Sequence, residues 1–131
     1  MNESEYILVS GSTVAAQQFI QYLKFKAMPF VVLTNNDKER EQMNKIGVEH
    51  MIEVDTSDHE TWALPPYEIG KVFIFEKSLT LCCRYLKMSR KWTIKPIYVI
   101  TTSDKPRMVY KGLGADFVVY SNTGNVVFLL N

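Results

Sequence analysis

Short apolar runs alternate along this chain with longer stretches in which apolar residues recur every three or four positions. The first run, residues 6–9, ends at Ser10 and Gly11, and a helical stripe begins at Val14. An apolar run without polar interruptions is typical of a strand that is covered on both faces. Because a second run follows at residues 30–33, the pattern predicts a βαβ unit with two parallel strands.

The same alternation continues to the end of the chain. Further strands are predicted within residues 48–54, roughly at 50–54, and at residues 71–75, 96–100 and 116–120. Helices are predicted between them at residues 38–47, 79–91 and 106–113, with a short helical turn at 56–64. Residues 125–130 form a last apolar segment, either a seventh strand or a short helix. This order predicts an α/β fold: a three-layer, doubly wound sheet of about six parallel strands with helices on both faces.

The helix predicted at residues 79–91 carries two apolar stripes, whereas a helix that covers one face of a sheet needs only one. The second stripe consists of Leu81, Tyr85 and Met88. Two interpretations stay open: this stripe contacts another subunit, or the helix is wedged among neighbours of its own chain. In the predicted helix at 106–113, Val109 and Leu113 are expected to face inward.

Length and composition restrict the class of protein. A chain of 131 residues is expected to form a single domain, residues 1–131. With 22% charged residues and a net charge of +1, it has no basic surplus that would indicate nucleic acid or an anionic membrane as a partner. No apolar run approaches the roughly 20 residues that span a bilayer, and the polar N-terminus is unlike a signal peptide. Adjacent Cys82 and Cys83 are poorly placed for a disulfide, so reduced thiols and a cytoplasmic location are expected.

The turn after the first strand contains a degraded dinucleotide-binding motif. In a doubly wound sheet, ligands bind at the carboxyl ends of the strands, where a helix N-terminus can hold a phosphate. Of the G-x-G-x-x-G pattern, Gly11 keeps the turn glycine and Ala16 is an accepted substitute for the third glycine. Thr13 replaces the second glycine, and its β-branched side chain is expected to crowd the approach of a pyrophosphate.

The second strand lacks the acidic residue that usually binds the ribose hydroxyls. Thr34 occupies that position, and Asp37 can substitute only if the loop bends back. Lys38 and Arg40 can meet a 2′-phosphate, although side chains on a charged surface helix are more often solvated. A separate cluster has metal-ligand residue types, but a solvated loop is the favoured interpretation and no metal is expected. Its members are Asp55, Asp58, His59 and Glu60.

Four segments together resemble the N-terminal nucleotide-binding domain of the RCK/KTN (TrkA-N) family, which regulates potassium channels and transporters. They are the turn at 11–16, the segment 35–58, the strand KVFIFEKS and the segment GLGADFVVY. The resemblance implies a Rossmann-like regulatory module in the cytoplasm that binds NAD(H), ATP, ADP or AMP. It also implies a homodimer or higher oligomer, held at the inner face of the membrane by a potassium channel or transporter subunit.

The resemblance also implies which residues contact the nucleotide. The phosphates would lie along the first turn, at Gly11, Ser12, Thr13 and Val14, and the ribose at the end of the second strand, at Thr34 and Asn35. The adenine edge would lie after the third strand, near Asp55 and Thr56. Glu76, after the fourth strand, would border the pocket.

This sequence departs from the family pattern in three places, and these departures leave a second function open. Thr13 stands for a glycine, Thr34 for the ribose acid, and Val54 for the glycine before Asp55. A scaffold that binds no nucleotide and acts only through protein contacts is therefore the alternative. A nicotinamide-dependent reductase is less favoured because the chain offers neither a catalytic constellation nor room for a substrate domain, so no enzymatic activity is expected.

Overall fold

Six strands form the central sheet, and the computed structural model describes residues 5–11, 13–55, 64–103 and 107–130. The strands are Glu5–Ser10 (β1), Phe30–Thr34 (β2), Met51–Glu53 (β3), Glu68–Phe75 (β4), Ile97–Thr101 (β5) and Phe117–Tyr120 (β6). All pairs are parallel, in the order β3-β2-β1-β4-β5-β6. The strand order reverses between β1 and β4, which is where such sheets open a crevice for a ligand.

Among the described residues, four α-helices cover the two faces of this sheet. They are Val14–Phe25 (α1), Asp37–Lys45 (α2), Leu79–Trp92 (α3) and Arg107–Gly112 (α4). One apolar core joins the sheet to buried residues of α1 and α2, and the other joins it to buried residues of α3 and α4. The predicted three-layer α/β fold with a parallel, doubly wound sheet is therefore confirmed.

The bounds of two predicted strands differ from the structure. The strand predicted roughly at residues 50–54 spans only Met51–Glu53, and Val48 lies in the turn after α2, where its amide donates to the Met43 carbonyl over 3.0 Å. β4 begins three residues earlier than predicted, since Glu68 pairs in register with Glu5 of β1. Of the two alternatives for the final apolar segment, the structure shows the helical one, as a short 3₁₀ helix, Val127–Leu130. Most of the helical turn predicted at 56–64 lies outside the described residues.

The second apolar stripe of α3 packs against its own chain. Tyr85 and Met88 are buried, and Leu81 is partly buried against the same core cluster as Val54 and Tyr110. The structure therefore favours the interpretation in which α3 is wedged among neighbouring elements, and this stripe is not a free subunit surface.

The inward face of α4 also differs from the prediction. Val109 is 49% exposed, whereas Tyr110 is fully buried. The assignment of Val109 to the core was wrong because α4 is turned so that the tyrosine points into the molecule. Leu113, just beyond the helix, is partly buried against the core as expected. Within the described ranges, no helix has both the length and the apolar character needed to cross a bilayer.

Candidate functional site

The turn after β1 is built around Gly11, which lies at the point where the strand order reverses. Its φ of +120° is a conformation that side-chain-bearing residues rarely adopt. A Cβ at this position would lie 3.1 Å from the carbonyl oxygen of Phe75, the last residue of β4. Two features therefore require glycine at this position: the backbone conformation and the close approach of the neighbouring strand. The predicted turn glycine is in place.

The N-terminus of α1 follows this turn directly and supplies hydrogen-bond donors. Thr13 is the N-cap, and its Oγ1 accepts a hydrogen bond from the Ala16 amide over 3.1 Å. The Gln17 amide makes the first intrahelical hydrogen bond, to the Thr13 carbonyl. The amides of Val14 and Ala15 precede that bond, and the Val14 side chain is 71% exposed. These amides and the helix dipole can hold an anion. Ser12 lies outside the described residues.

Buried hydroxyl groups without partners mark the ends of β1 and β2. Ser10 and Thr34 are each 1% exposed, and neither Ser10 Oγ nor Thr34 Oγ1 has a hydrogen-bond partner. Most buried polar side-chain atoms in proteins are hydrogen-bonded, so these two hydroxyls can serve a polar ligand at this edge, although the hydroxyls of Tyr85 and Ser89 in α3 also have no partner. This observation fits a ligand that carries hydroxyl or phosphate groups.

A carboxylate does lie at the end of β2, although the strand itself ends in Thr34. Asn36 caps α2 by accepting from the Glu39 amide over 2.9 Å, and Glu39 Oε1 accepts from the Asn35 amide over 2.7 Å. This is a variant of the capping box, in which the helix folds its third-position acid back over its own N-terminus. Glu39 is only 8% exposed. Asp37, the substitute considered from sequence, instead forms a 3.1 Å ion pair with Arg40.

Sequence reasoning missed Glu39 as a site residue. Its signal was available as the spacing Asn36-x-x-Glu39, which is typical of a capping box. That spacing places the carboxylate near the end of β2. The acid expected at this end therefore comes from the first turn of α2 rather than from the strand.

Glu76 follows β4 and is held by two hydroxyl groups from elements further along the chain. Its Oε1 accepts from Thr101 Oγ1 over 2.7 Å, and its Oε2 accepts from the Tyr110 hydroxyl. Burial, together with the hydrogen bond to Glu76, raises the pKa of Tyr110. Burial also raises the pKa of Cys82 to about 12, opposed by its hydrogen bond with Tyr110. The end of β4 thus carries a fixed carboxylate inside a network of protonated groups.

The residues predicted after β3 are described only in part. Asp55 is exposed and follows Val54, whose amide donates to the Thr34 carbonyl over 2.9 Å. Thr56 and three members of the candidate metal cluster, Asp58, His59 and Glu60, lie outside the described residues. Among residues that the structure does describe, no group of three His, Cys, Asp or Glu side chains is arranged to hold a metal ion.

The sheet brings the remaining predicted residues to one edge. Gly11, Val14, Thr34, Asn35 and Glu76 follow or end the adjacent strands β2, β1 and β4. The edge combines free helix amides, orphaned hydroxyls and two carboxylates. This donor set fits a nucleotide, because the amides suit phosphate and the carboxylates suit ribose hydroxyls.

Two cavities lie beside or beyond these residues. One of about 420 Å³ lies between residues 123–127 and α1, and Ala15 of the first turn of α1 is part of its lining. Another, of about 460 Å³, lies at the amino ends of the strands and is lined by Tyr6, Lys24 and His50 among others. Neither contains an orphaned hydroxyl or a fixed carboxylate comparable to Glu76 among its described lining residues.

Several solved structures share this fold. The NAD(P)-binding domain of an exopolyphosphatase-related protein from Archaeoglobus fulgidus has a TM-score of 0.72 and 19% identity, over 87% of this chain and 86% of that one. The TrkA-N domain of the inner membrane protein YbaL from Escherichia coli has a TM-score of 0.73 and 14% identity, over 99% and 97%. The GsuK channel bound to NAD has a TM-score of 0.74 and 18% identity, over 88% and 21%.

These likenesses establish the fold that the sequence resemblance implied, namely that of RCK and TrkA-N domains. The sequence matches no protein-family model, and comparison with curated proteins gives no match. The chain is similar in length to the Archaeoglobus and YbaL domains but spans about a fifth of the GsuK channel chain.

Proposed function

We propose that this chain is a regulatory domain that binds NAD(H) or an adenine nucleotide at the carboxyl edge of its sheet. The observation that carries the proposal is the turn at Gly11, wedged against the end of β4, with the N-terminus of α1 directly behind it. This arrangement aims the amides of Val14 and Ala15 at the crevice where the strand order reverses. A phosphate bound there would be held by backbone donors and the helix dipole.

The regulatory part of the proposal is that nucleotide binding controls a potassium channel or transporter through subunit assembly. It is supported by the fold shared with the TrkA-N domain of YbaL and with GsuK, a channel solved with NAD. In this role the chain acts as a homodimer or larger oligomer at the cytoplasmic side of a membrane partner. Because the second stripe of α3 is buried in its own chain, assembly must use another surface.

We further propose that the domain is not an enzyme. The nucleophile best placed near the site, Cys82, is buried, and its pKa is raised to about 12, so it stays a protonated thiol at neutral pH. Glu76 has both carboxylate oxygens engaged by Thr101 and Tyr110, which suits a fixed binding group better than a mobile acid or base.

A binding-incompetent scaffold is the second candidate. One observation favours it: Thr13 stands where the motif has its second glycine, and its hydroxyl is engaged in capping α1. A β-branched residue at that position narrows the approach of a pyrophosphate to the backbone. In this case the domain would act only by contacting other proteins.

The experiment that separates the two candidates is calorimetric titration of the purified chain with NAD, NADH, ATP, ADP and AMP. The informative variant is Val14→Asp, because an acid in the first turn of a helix is favourable for folding but repels a phosphate at the same amides. Met108→Asp is the matched control, since Met108 is also exposed, at 80%, in the first turn of a helix away from the site.

We expect the Met108→Asp variant to bind nucleotide and a folded Val14→Asp variant to lose binding. If none of the five nucleotides binds at millimolar concentration, nucleotide binding is contradicted and the scaffold is favoured. Light scattering tests assembly separately, since a monomer at high micromolar concentration would contradict the proposed oligomer.

A further inference from the structure

We propose that the layer formed by α3 and α4 is a docking surface for a membrane that contains anionic lipids. This inference does not depend on nucleotide binding, and it adds a direct lipid contact to the proposed function. It is carried by a basic face on which every charged side chain of the two helices has the same sign. The exposed members of this basic face are Arg84, Lys87 and Lys91 of α3 and Arg107 and Lys111 of α4.

The net charge of +1 conceals an uneven distribution of charge along the chain. Residues 71–131 contain ten Lys or Arg and three Asp or Glu, whereas residues 1–70 contain five and eleven. Between positions 77 and 103 there are six basic residues and no acidic one. The balance of the whole chain, which gave no indication of an anionic membrane, therefore does not describe the surface of this half.

The fold places these charges on one side of the molecule. α3 and α4 pack against the same apolar core cluster, so both cover the same face of the sheet. Burial removes the apolar residues of α3 from the surface and leaves only five exposed positions on this helix. These positions are Leu79, Thr80, Arg84, Lys87 and Lys91. Every charged group that α3 fully exposes to solvent is thus a cation.

The acidic residues of this half do not neutralise the basic face. Both carboxylate oxygens of Glu76 accept hydrogen bonds from hydroxyl groups, and Asp116 pairs with the partly buried Arg90 over 3.5 Å. Asp104 lies outside the described residues. Three members of the basic face form no ion pair with any residue that the structure describes: Arg84, Lys87 and Lys111.

The opposite layer of the molecule has a different distribution of charge. The exposed charged residues of α2 have both signs: Asp37, Lys38, Arg40, Glu41 and Lys45. Arg40 pairs with Asp37 at 3.1 Å. Interspersed charges of both signs are typical of a surface that only contacts water, whereas a face of one sign attracts a partner of the opposite sign.

Exposed aliphatic side chains favour a lipid surface over other anionic partners. Ile94, just after α3, is 94% exposed, and Leu79, Met108 and Val109 are exposed on the two helices. Basic residues beside exposed aliphatic ones are typical of segments that lie in a membrane interface. Single-stranded nucleic acids instead stack on exposed aromatic side chains. The aromatic residues of α3 and α4 are all buried: Tyr85, Trp92 and Tyr110.

Docking through the basic face leaves the nucleotide edge accessible. The first turn of α1 belongs to the opposite layer, whose buried residues form the second core cluster. Lipid contact and nucleotide binding can therefore occur at the same time. The chain would be held at the membrane by α3 and α4 while the turn at Gly11 stays open to solvent.

The test is co-sedimentation of the purified chain with lipid vesicles. The chain should bind vesicles of phosphatidylglycerol and phosphatidylcholine but not vesicles of phosphatidylcholine alone. Added salt should weaken this binding, because salt screens exposed charges. Each Lys or Arg near an anionic membrane strengthens binding about fivefold, so the double variant Arg84→Gln and Lys87→Gln should bind about 25-fold more weakly.

Two matched controls come from the opposite layer. The double variant Lys38→Gln and Lys45→Gln removes the same charge from exposed positions of α2 and should change vesicle binding far less. For the aliphatic contact, Ile94→Gln should weaken binding severalfold. Phe25→Gln, at the end of α1, is its control because Phe25 is also exposed, at 82%. Circular dichroism should show all four variants folded, since each substituted side chain is exposed.

Several results would overturn the inference. They are a lack of binding to anionic vesicles at low salt, equal binding to both kinds of vesicle, and equal losses in the two double variants. Tighter binding to duplex DNA than to anionic vesicles would assign the basic face to nucleic acid instead. Lost self-association with intact vesicle binding in the Arg84 and Lys87 variant would assign it to a second copy of the chain. The nucleotide titrations are separate measurements, so failure of this inference and failure of the proposed function are distinguishable.

Discussion

The hydroxyl of Tyr110 is the least accessible group in the hydrogen-bond network around Glu76, and its removal should lower the free energy of unfolding by a measurable amount. The ring is fully buried, and the hydroxyl donates to Glu76, 34 residues away in sequence. Tyr110→Phe keeps the ring but leaves one carboxylate oxygen of Glu76 without its donor. A hydrogen bond to a charged group contributes about 1.5–3 kcal/mol, so the free energy of unfolding should fall by that amount.

The corresponding change in melting temperature follows from the size of the domain. With an unfolding entropy of about 2.1 cal/mol/K for each of 131 residues, the melting temperature should fall by about 5–11 °C. Thermal unfolding followed by circular dichroism at pH 7 measures this shift. Tyr120→Phe is the matched control, because Tyr120 is 56% exposed and donates to Asn122 at the surface. Equal melting temperatures for the two variants would refute the proposed network.

Three further predictions concern folding and titration. Gly11→Ala should lower the free energy of unfolding by about 2–4 kcal/mol in a denaturant titration, because Gly11 has a positive φ and lies close to Phe75. Gly112→Ala is the control and should lower it little, because the added Cβ meets nothing within 4 Å. Ala27→Gly should add about 0.5–1 kcal/mol, since Ala27 has a φ of +55° just after α1; a loss would contradict this. Burial raises the pKa values of Cys82 and Tyr110, so the folded state keeps protons that the unfolded state releases. Stability should therefore be complete at neutral pH and fall as the pH rises above about 9, and Cys82→Ala should reduce that slope; an unchanged slope would refute the assignment.

The sheet could be predicted from sequence because each central strand is an apolar run bounded by turn residues. Three helices begin at residue types that favour an N-cap. Thr13, Asn36 and Ser78 each accept a hydrogen bond from an amide three residues later. Predictions failed where the outcome depended on how an element is seated against the sheet. Val109 has the spacing of a core position, but it is 49% exposed, and Tyr110 is the residue of α4 that is buried.

The candidate site could be located from sequence, but its charges could not. The loop after β1 follows from topology, and Gly11 follows from the turn. The carboxylate at the end of β2 comes from Glu39, five residues beyond the strand, and a search for an acid at the strand end does not find it. The hydrogen bond between Tyr110 and Glu76 depends on how α4 is seated, which no local pattern encodes.

Oligomeric contacts illustrate a further limit of sequence patterns. A helix with two apolar stripes is compatible with burial against its own chain or against a partner, because the hydrophobic effect does not depend on which chain supplies the apolar surface. Only the packing of Tyr85 and Met88 in the described structure distinguishes the two for α3.

Amide chemical-shift mapping with NADH tests most directly whether a nucleotide binds across the turn between β1 and α1. The largest shifts on titration should fall on the amides of Gly11, Val14, Ala15 and Asn35. Shifts concentrated around Lys24 and His50 at the opposite edge of the sheet, or no shifts at millimolar NADH, would contradict it.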